Sequence, residues 1–315
     1  MKVHFIAIGG SAMHNLAIAM KNNRHDVGGS DDEIFEPSRS RLSDNSLLPA
    51  RYGWYPEEIS KDIDAIILGM HARIDNPELL RAKELGLKIY SYPEFLYYHS
   101  KNKKRVVIGG SHGKTTITAI IMHVLRKLNY DFDYLVGSKI KDFDVMVRLS
   151  EDAPIMIFEG DEYLSSPIDL RPKFHWYFPD IALLSGIAWD HINVFPTWEN
   201  YIEQFEKFIS LINKNGSLIY NVEDKILEKL ASARNDISTV SYRIPKYEIQ
   251  NGINYMITDN GEVELKIFGK HNMMNINGAR LVCNQLGIDD KDFFAAVSSF
   301  EGTANRLELV MKNGS

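Results

Sequence analysis

The stretch Arg105-Val106-Val107-Ile108-Gly109-Gly110-Ser111-His112-Gly113-Lys114-Thr115-Thr116-Ile117 decides the fold. An apolar, β-branched run meets a glycine-rich turn, after which Ile117, Ile120, Ile121, Val124 and Leu128 recur at helical spacing. Strand, turn and amphipathic helix in direct succession open an α/β unit. Such a turn exposes backbone N–H groups at the positive end of a helix, so Gly110, Ser111, Gly113, Lys114, Thr115 and Thr116 read as a phosphate cradle. Lys114 adds a point charge, and Thr115 takes the place of a Mg²⁺-binding hydroxyl. The spacing departs from the usual phosphate loop, which has four residues between its glycines: Ile108 occupies the first glycine position, and Gly109 and Gly110 make a shorter loop. Agreement of strand, Gly-Lys-Thr core and helix favours phosphate binding over a purely structural turn.

A second unit of the same kind opens the chain. Val3 to Ile8 is an apolar run, Gly9-Gly10-Ser11 is a turn, and Met13, Leu16, Ala17 and Met20 follow at helical spacing. A further strand is expected to end at Gly28-Gly29-Ser30-Asp31, and another spans Asp64 to Leu68. Asn76-Pro77-Glu78 then supplies an N-cap, a first-turn proline and a dipole-compatible acid for a helix stopped by Gly86. Lys88 to Ser91 closes this sheet. Lys101 to Lys104 is polar and is taken as the domain boundary, an ordinary solvated loop being the alternative. Beyond it, strands are expected to end at Glu159 and near Ser185, and a helix capped by Thr197 carries Tyr201, Phe205, Phe208 and Ile212. Asn260-Gly261 reads as a tight hairpin turn, and a last helix spans about Asp289 to Phe300. Alternating strands and helices predict two α/β domains with a mostly parallel sheet.

Length agrees, since 315 residues at roughly 150 per domain make about two domains. Hydrophobic residues at 44% and charged residues at 25% exclude intrinsic disorder. No apolar run approaches the roughly 18 residues of a membrane span, and Met1 to Gly10 leads into a strand without a cleavable apolar core, so a cytoplasmic protein with no membrane partner is expected. With 36 basic against 42 acidic residues the net charge is −6, which argues against a nucleic-acid partner. The single cysteine, Cys283, lies beside Leu281 and Val282 and reads as a core residue.

Transfer of a phosphoryl group needs its charge neutralised, so metal ligands are sought at other strand ends. Glu159 follows the apolar run Ile155 to Phe158 and opens Glu159-Gly160-Asp161-Glu162, a cluster suited to a cation; a solvated acidic loop is the bland alternative. His191 by its chemistry alone reads as a structural histidine, because Mg²⁺ prefers oxygen. The loop Gly9, Gly10, Ser11 with Met13 offers a second anion site, with Asp31 about 20 residues on, as in dinucleotide-binding units. Ser11 and His14 stand where that fingerprint has glycine, which speaks against a nicotinamide cofactor and leaves another nucleotide diphosphate. His71, Arg73 and Asn76 follow a strand's carboxyl end, where open α/β sheets bind ligands, although helix capping alone accounts for Asn76.

Five ordered blocks carry a resemblance. Ile108 to Thr116 resembles the ATP loop of the Mur ligases, which join amino acids or peptides to UDP-N-acetylmuramic acid. Phe158-Glu159-Gly160-Asp161-Glu162-Tyr163 resembles the family's metal-binding acidic segment. Trp189-Asp190-His191 resembles its Asp-His segment, which implies a metal-site role for His191. Gly269-Lys270-His271-Asn272-Met273-Met274-Asn275 resembles the adenine-contacting block, implying His271 and Asn275 as contacts. Phe300 to Glu308 resembles the hinge into a third domain and adds Arg306, with Asn305 where an arginine is common.

The resemblance implies a Rossmann-like UDP-sugar-binding domain over 1–100, a central P-loop ATPase-like domain over 101–301, and the start of a third domain at 302–315. A fragment lacking most of that third domain is expected, able to bind ligands but inactive alone. It also implies ATP and Mg²⁺ as cofactors, and a reaction in which the lactyl carboxylate of UDP-N-acetylmuramic acid is phosphorylated and the acyl phosphate is captured by an amine. Lys114, Glu159, His191 and His112 would be the catalytic set, with Thr115, Glu159 and His191 at the metal and Lys207 a candidate for carbamylation. Ile34 to Ser38 and Gly69 to Glu78 resemble the branch that adds the tripeptide L-Ala-γ-D-Glu-meso-diaminopimelate in peptidoglycan recycling more than the L-alanine-adding branch. The rivals are L-alanine as acceptor, a nicotinamide-dependent oxidoreductase, and a non-catalytic nucleotide-sensing module. The sequence does not specify an oligomeric state.

Overall fold

The computed structural model describes residues 1–259 and 261–303. Its contacts divide the chain into two units. The first holds residues 1–103, 147–153 and 161–177, and the second 104–146, 154–160 and the chain from Phe178 onward. The first unit therefore takes in two segments from inside the span expected as the central domain.

In the first unit the elements are β1 (Lys2–Ile6), α1 (Ser11–Asn22), β2 (Asp26–Ser30), α2 (Ser38–Asp44), β3 (Ala65–Leu68), α3 (Pro77–Glu84), β4 (Ile89–Ser91) and α4 (Tyr92–Ser100). They build a parallel sheet in the order β2–β1–β3–β4, with Phe5 level with Gly29 and Ile67. A parallel sheet is covered on both faces, which is why Ala65 to Leu68 are uniformly apolar and fully buried. Gly29 is dictated by close approach: a Cβ there would lie 2.7 Å from the Phe5 carbonyl oxygen. α3 begins as expected, the Asn76 side chain accepting from the N–H of Glu78 (2.9 Å) and of Leu79 (3.1 Å).

The remaining elements are β5 (Lys104–Gly109), α5 (Lys114–Lys127), β6 (Phe132–Leu135), β7 (Val147–Arg148), β8 (Ile155–Glu159), β9 (Leu164–Ser166), β10 (Asp169–Pro172), β11 (Ile181–Leu184), α6 (Trp198–Ser210), β12 (Ser217–Asn221), α7 (Lys225–Ala231), β13 (Ser238–Tyr242), β14 (Tyr247–Gln250), β15 (Ile253–Thr258), β16 (Gly261–Leu265), α8 (Lys270–Gln285) and α9 (Asp290–Val297). In the second unit β13–β12–β11–β5–β8–β6 run side by side, all parallel. Helices α5, α8 and α9 pack together over this sheet through Ile120, Val124, Met273, Ile276 and Phe293, with Cys283 in the same core. Burial pushes the Cys283 thiol well above its ordinary range, which suits a packed thiol and not a nucleophile. α6 is capped by Thr197 and buries Tyr201, Phe205 and Phe208. β14–β15–β16 form a small antiparallel sheet in which Thr258 pairs with Gly261; the expected hairpin residue Asn260 lies outside the described residues. The last helix is shorter than expected and is capped by Asp289. No helix of the described residues is long and apolar enough to cross a membrane.

Candidate functional site

Register determines what meets at the carboxyl edge of the larger sheet. Ile108 of β5 is level with Glu159 of β8 on one side and with Leu183 of β11 on the other. The glycine turn, the Glu159 carboxylate and the turn after β11 therefore emerge together, at the edge where open α/β sheets hold ligands. Gly113 (φ +80°) is the N-cap of α5, which starts with Lys114. The Thr115 hydroxyl donates to Glu159 Oε1 at 2.7 Å, and Glu159 Oε2 accepts the Gly137 N–H at 2.9 Å. The carboxylate is thus held from two sides.

A cavity of about 1400 Å³ opens here, lined by His112, Gly113 and Thr116 and, from the start of α8, by His271 and Asn275. A Cβ on Gly113 would stand 2.5 Å from Asn275 Oδ1, so the two expected nucleotide blocks are in contact. His112 is exposed, and its carbonyl accepts from the Ser185 hydroxyl. Ser111 behaves differently from the expectation of a phosphate ligand. Its N–H donates to the Gly186 carbonyl (2.9 Å), and its hydroxyl donates to the Ala188 carbonyl and accepts the Ala188 N–H (2.7 Å each). Both of its donors are committed within the protein.

Gly110 (φ +116°) shows how tightly the turn is fitted. A Cβ there would lie 2.8 Å from the Ser185 nitrogen and 3.0 Å from the Gly186 carbonyl oxygen. Gly110→Ala is expected to combine backbone strain of about 1–3 kcal/mol with a clash against main chain. Thermal denaturation and nucleotide titration should show a lower melting temperature and binding weakened at least about tenfold. Gly287 (φ +88°, open space around it) is the control, since alanine there meets strain alone and should leave nucleotide binding unchanged.

The residues of the expected acidic segment are assigned to both units. Glu159 belongs to the second unit, whereas Asp161 and Glu162 belong to the first, where the Lys173 ammonium donates to Asp161 at 2.5 Å. Within the second unit, His191 (φ +53°) is half-buried; its N–H donates to Asp190 Oδ1 (2.7 Å), and its carbonyl accepts from Val194 and Phe195. Lys207 is exposed on α6. Arg306 lies outside the described residues.

In the first unit the Gly9 N–H donates to Asp31 Oδ2 at 2.7 Å, and burial lifts the Asp31 carboxyl to about 6. Gly10 caps α1 and Ser11 is exposed. Met13 and Asn76, expected against a sugar nucleotide, are each 3% exposed, which leaves little of either for a ligand. His71 and Arg73 are exposed, Arg73 pairing with Asp75 at 2.9 Å. The residues that sequence reading missed are Ser185, Asn221 and Asp224 around the turn after β11. The signal that could have found Asp224 is an N-cap aspartate three residues after a strand, just before the helical run Ile226 to Ala231.

Comparison with known proteins identifies the family. Residues 108–283 match the Mur ligase middle domain, and residues 2–104 match the family described as Mur ligase family, catalytic domain. A UDP-N-acetylmuramate–L-alanine ligase of Clostridium botulinum (strain Langeland) is 32% identical over 98% of this chain and 68% of that protein. Among solved structures, UDP-N-acetylmuramate:L-alanyl-γ-D-glutamyl-meso-diaminopimelate ligase from Neisseria meningitides superposes with a TM-score of 0.84 at 23% identity, covering 95% of this chain and 98% of that one. UDP-N-acetylmuramate-alanine ligase from Thermotoga maritima superposes with a TM-score of 0.74 at 22% identity, covering 99% and 71%. The chain belongs to the Mur ligase family of ATP-dependent, amide-bond-forming ligases.

Proposed function

We propose that this protein uses ATP to activate the lactyl carboxylate of UDP-N-acetylmuramic acid and joins it to the amine of L-alanyl-γ-D-glutamyl-meso-diaminopimelate. The observation that carries the reading is the convergence at one sheet edge of the α5 N-terminus, Lys114 and the Thr115–Glu159 pair at 2.7 Å. A carboxylate oxygen attacks the γ-phosphorus, the bond to ADP breaks, and an acyl phosphate forms. The amine nitrogen then attacks the acyl carbon, the C–N bond forms, phosphate leaves with the former carboxylate oxygen, and the amine gives up a proton. The N–H groups at the start of α5 and the Lys114 ammonium offset charge that builds on the phosphoryl oxygens. Thr115 and Glu159 present oxygen donors only, the set Mg²⁺ favours, and they would hold it, with His191 a proposed further residue of the metal site. Mg²⁺ supplies charge neutralisation on the phosphates. His112, exposed in the turn, is proposed to face the carboxylate, and His271 and Asn275 to face the base. In the first unit, Gly9, Gly10, Asp31, His71 and Arg73 are proposed for the sugar nucleotide. ATP is a cytoplasmic fuel, so the cytoplasm is the proposed location.

The acceptor has two readings. Ile34 to Ser38 and Gly69 to Glu78 support the tripeptide, and the names of the curated relatives support L-alanine with equal weight. ADP release by the full-length protein with ATP, Mg²⁺ and UDP-N-acetylmuramic acid, in parallel with each acceptor, separates them. Release with the tripeptide and not with L-alanine is expected. The reverse moves the acceptor, and no release with either removes the reading.

A further inference from the structure

The carboxylate of Asp224 ties together two elements that flank the cavity. Its Oδ1 accepts the N–H groups of Ile226 (2.9 Å) and Leu227 (3.1 Å) and so caps α7, while its Oδ2 accepts the N–H of Ile187 at 2.7 Å. Next to it, the Asn221 amide donates to the Ser185 carbonyl at 3.2 Å. The turn Ser185 to Ala188 is therefore anchored from β12 and α7. That same turn holds the phosphate loop: the Gly186 carbonyl takes the Ser111 N–H, Ala188 exchanges two bonds with the Ser111 hydroxyl, and the Ser185 hydroxyl donates to the His112 carbonyl. A loop with three glycines in five residues has no side-chain packing of its own to define its shape, so its shape is set by what grips it.

We propose that Asp224 is a positioning residue for the phosphate-binding loop, acting through the Ser185–Ala188 turn and Ser111 and not by touching the nucleotide. The inference rests on the reading of this loop as the ATP site. Asp224→Asn is the selective probe. Its amide oxygen can still cap α7, whereas its NH₂ group would face the Ile187 N–H, donor against donor.

The experiment is a double-mutant cycle with Ser111→Ala, read by calorimetric titration of a non-hydrolysable ATP analogue with Mg²⁺, with melting temperatures in parallel. Each single variant is expected to bind about tenfold more weakly, with melting temperatures near wild type, and the double variant no more weakly than the worse single, because both break one chain of contacts. Losses that multiply in the double variant would overturn the proposal, since Asp224 would then act separately from Ser111. So would wild-type affinity in Asp224→Asn. Should Asp224→Asn fail to fold, Asn221→Ala enters the cycle in its place, because it drops the other anchor of the turn and keeps the α7 cap. Lys114→Ala separates the two readings: if it loses analogue binding while Asp224→Asn does not, the ATP site stands and the positioning role falls. If wild type binds no analogue, both fall.

Discussion

Lys114→Ala is expected to lower kcat/KM for ATP-dependent ligation by about 10³-fold, equivalent to about 4 kcal/mol of transition-state stabilisation. Lys114 is the first residue of α5, directly after the left-handed Gly113, and its ammonium and the helix N-terminus are proposed to act on the same phosphate oxygens. Charge on those oxygens changes as the γ-phosphoryl group moves, and the field acts on the transition state more than on bound ATP. UDP-sugar affinity, proposed for the first unit, should be unchanged within error, and melting temperature should shift little because the lysine is half-buried at a helix start. Lys114→Arg is expected to rescue only partly, because the planar guanidinium presents its charge in a different geometry. Steady-state ADP release across ATP concentrations, with calorimetry for the sugar nucleotide, provides the test. An unchanged ligation rate in Lys114→Ala would refute the role.

The second large effect concerns stability. Glu78 is 0% exposed, yet it is a carboxylate: Oε2 meets His4 Nε2 at 3.1 Å and accepts from the Ser30 hydroxyl, and Oε1 accepts the Tyr55 N–H at 2.7 Å. It joins β1, β2 and the segment before β3 to α3. Burial acts to raise its pKa, but these donors outweigh it and hold the carboxyl below its ordinary value of 4.5. Glu78→Ala strands three partners, of which His4 and Ser30 are buried, and opens a cavity, with an expected cost of about 3–5 kcal/mol. In thermal denaturation the first unit should melt lower by about 10 °C or more. The pH dependence has a definite sign. A carboxyl whose pKa is lower folded than unfolded stabilises above the unfolded value and loses that contribution as pH falls through the folded one. The stability gap between wild type and Glu78→Gln should therefore be full at neutral pH and shrink below about 4.5. A gap that is constant across this range would mean that the charge of Glu78 contributes nothing.

Glu78 also shows where sequence reading stops. Asn76-Pro77-Glu78 identified the start of α3 because capping is local: the acceptor and its donors lie within three residues. The same reading took Glu78 only as an acid compatible with the helix dipole. Its partners are 74, 48 and 23 residues away, and nothing in a local pattern points to them. Ser111 repeats the lesson within the site. Its place in the glycine loop implied a phosphate contact, but the turn 75 or more residues downstream takes both of its donors.

The sequence by itself determined two glycine turns between strand and helix, the parallel α/β class, the helix caps at Asn76 and Thr197, and the family. All of these depend on short-range spacing, where the side chain and the backbone group it serves are neighbours. Only the tertiary structure decided that Glu159 receives Thr115, that Asn275 abuts Gly113, and that Asp224 secures the turn gripping Ser111. The physical reason is sheet register: β5, β8, β11 and β12 come together across long loops, and only their alignment brings these side chains within hydrogen-bonding distance.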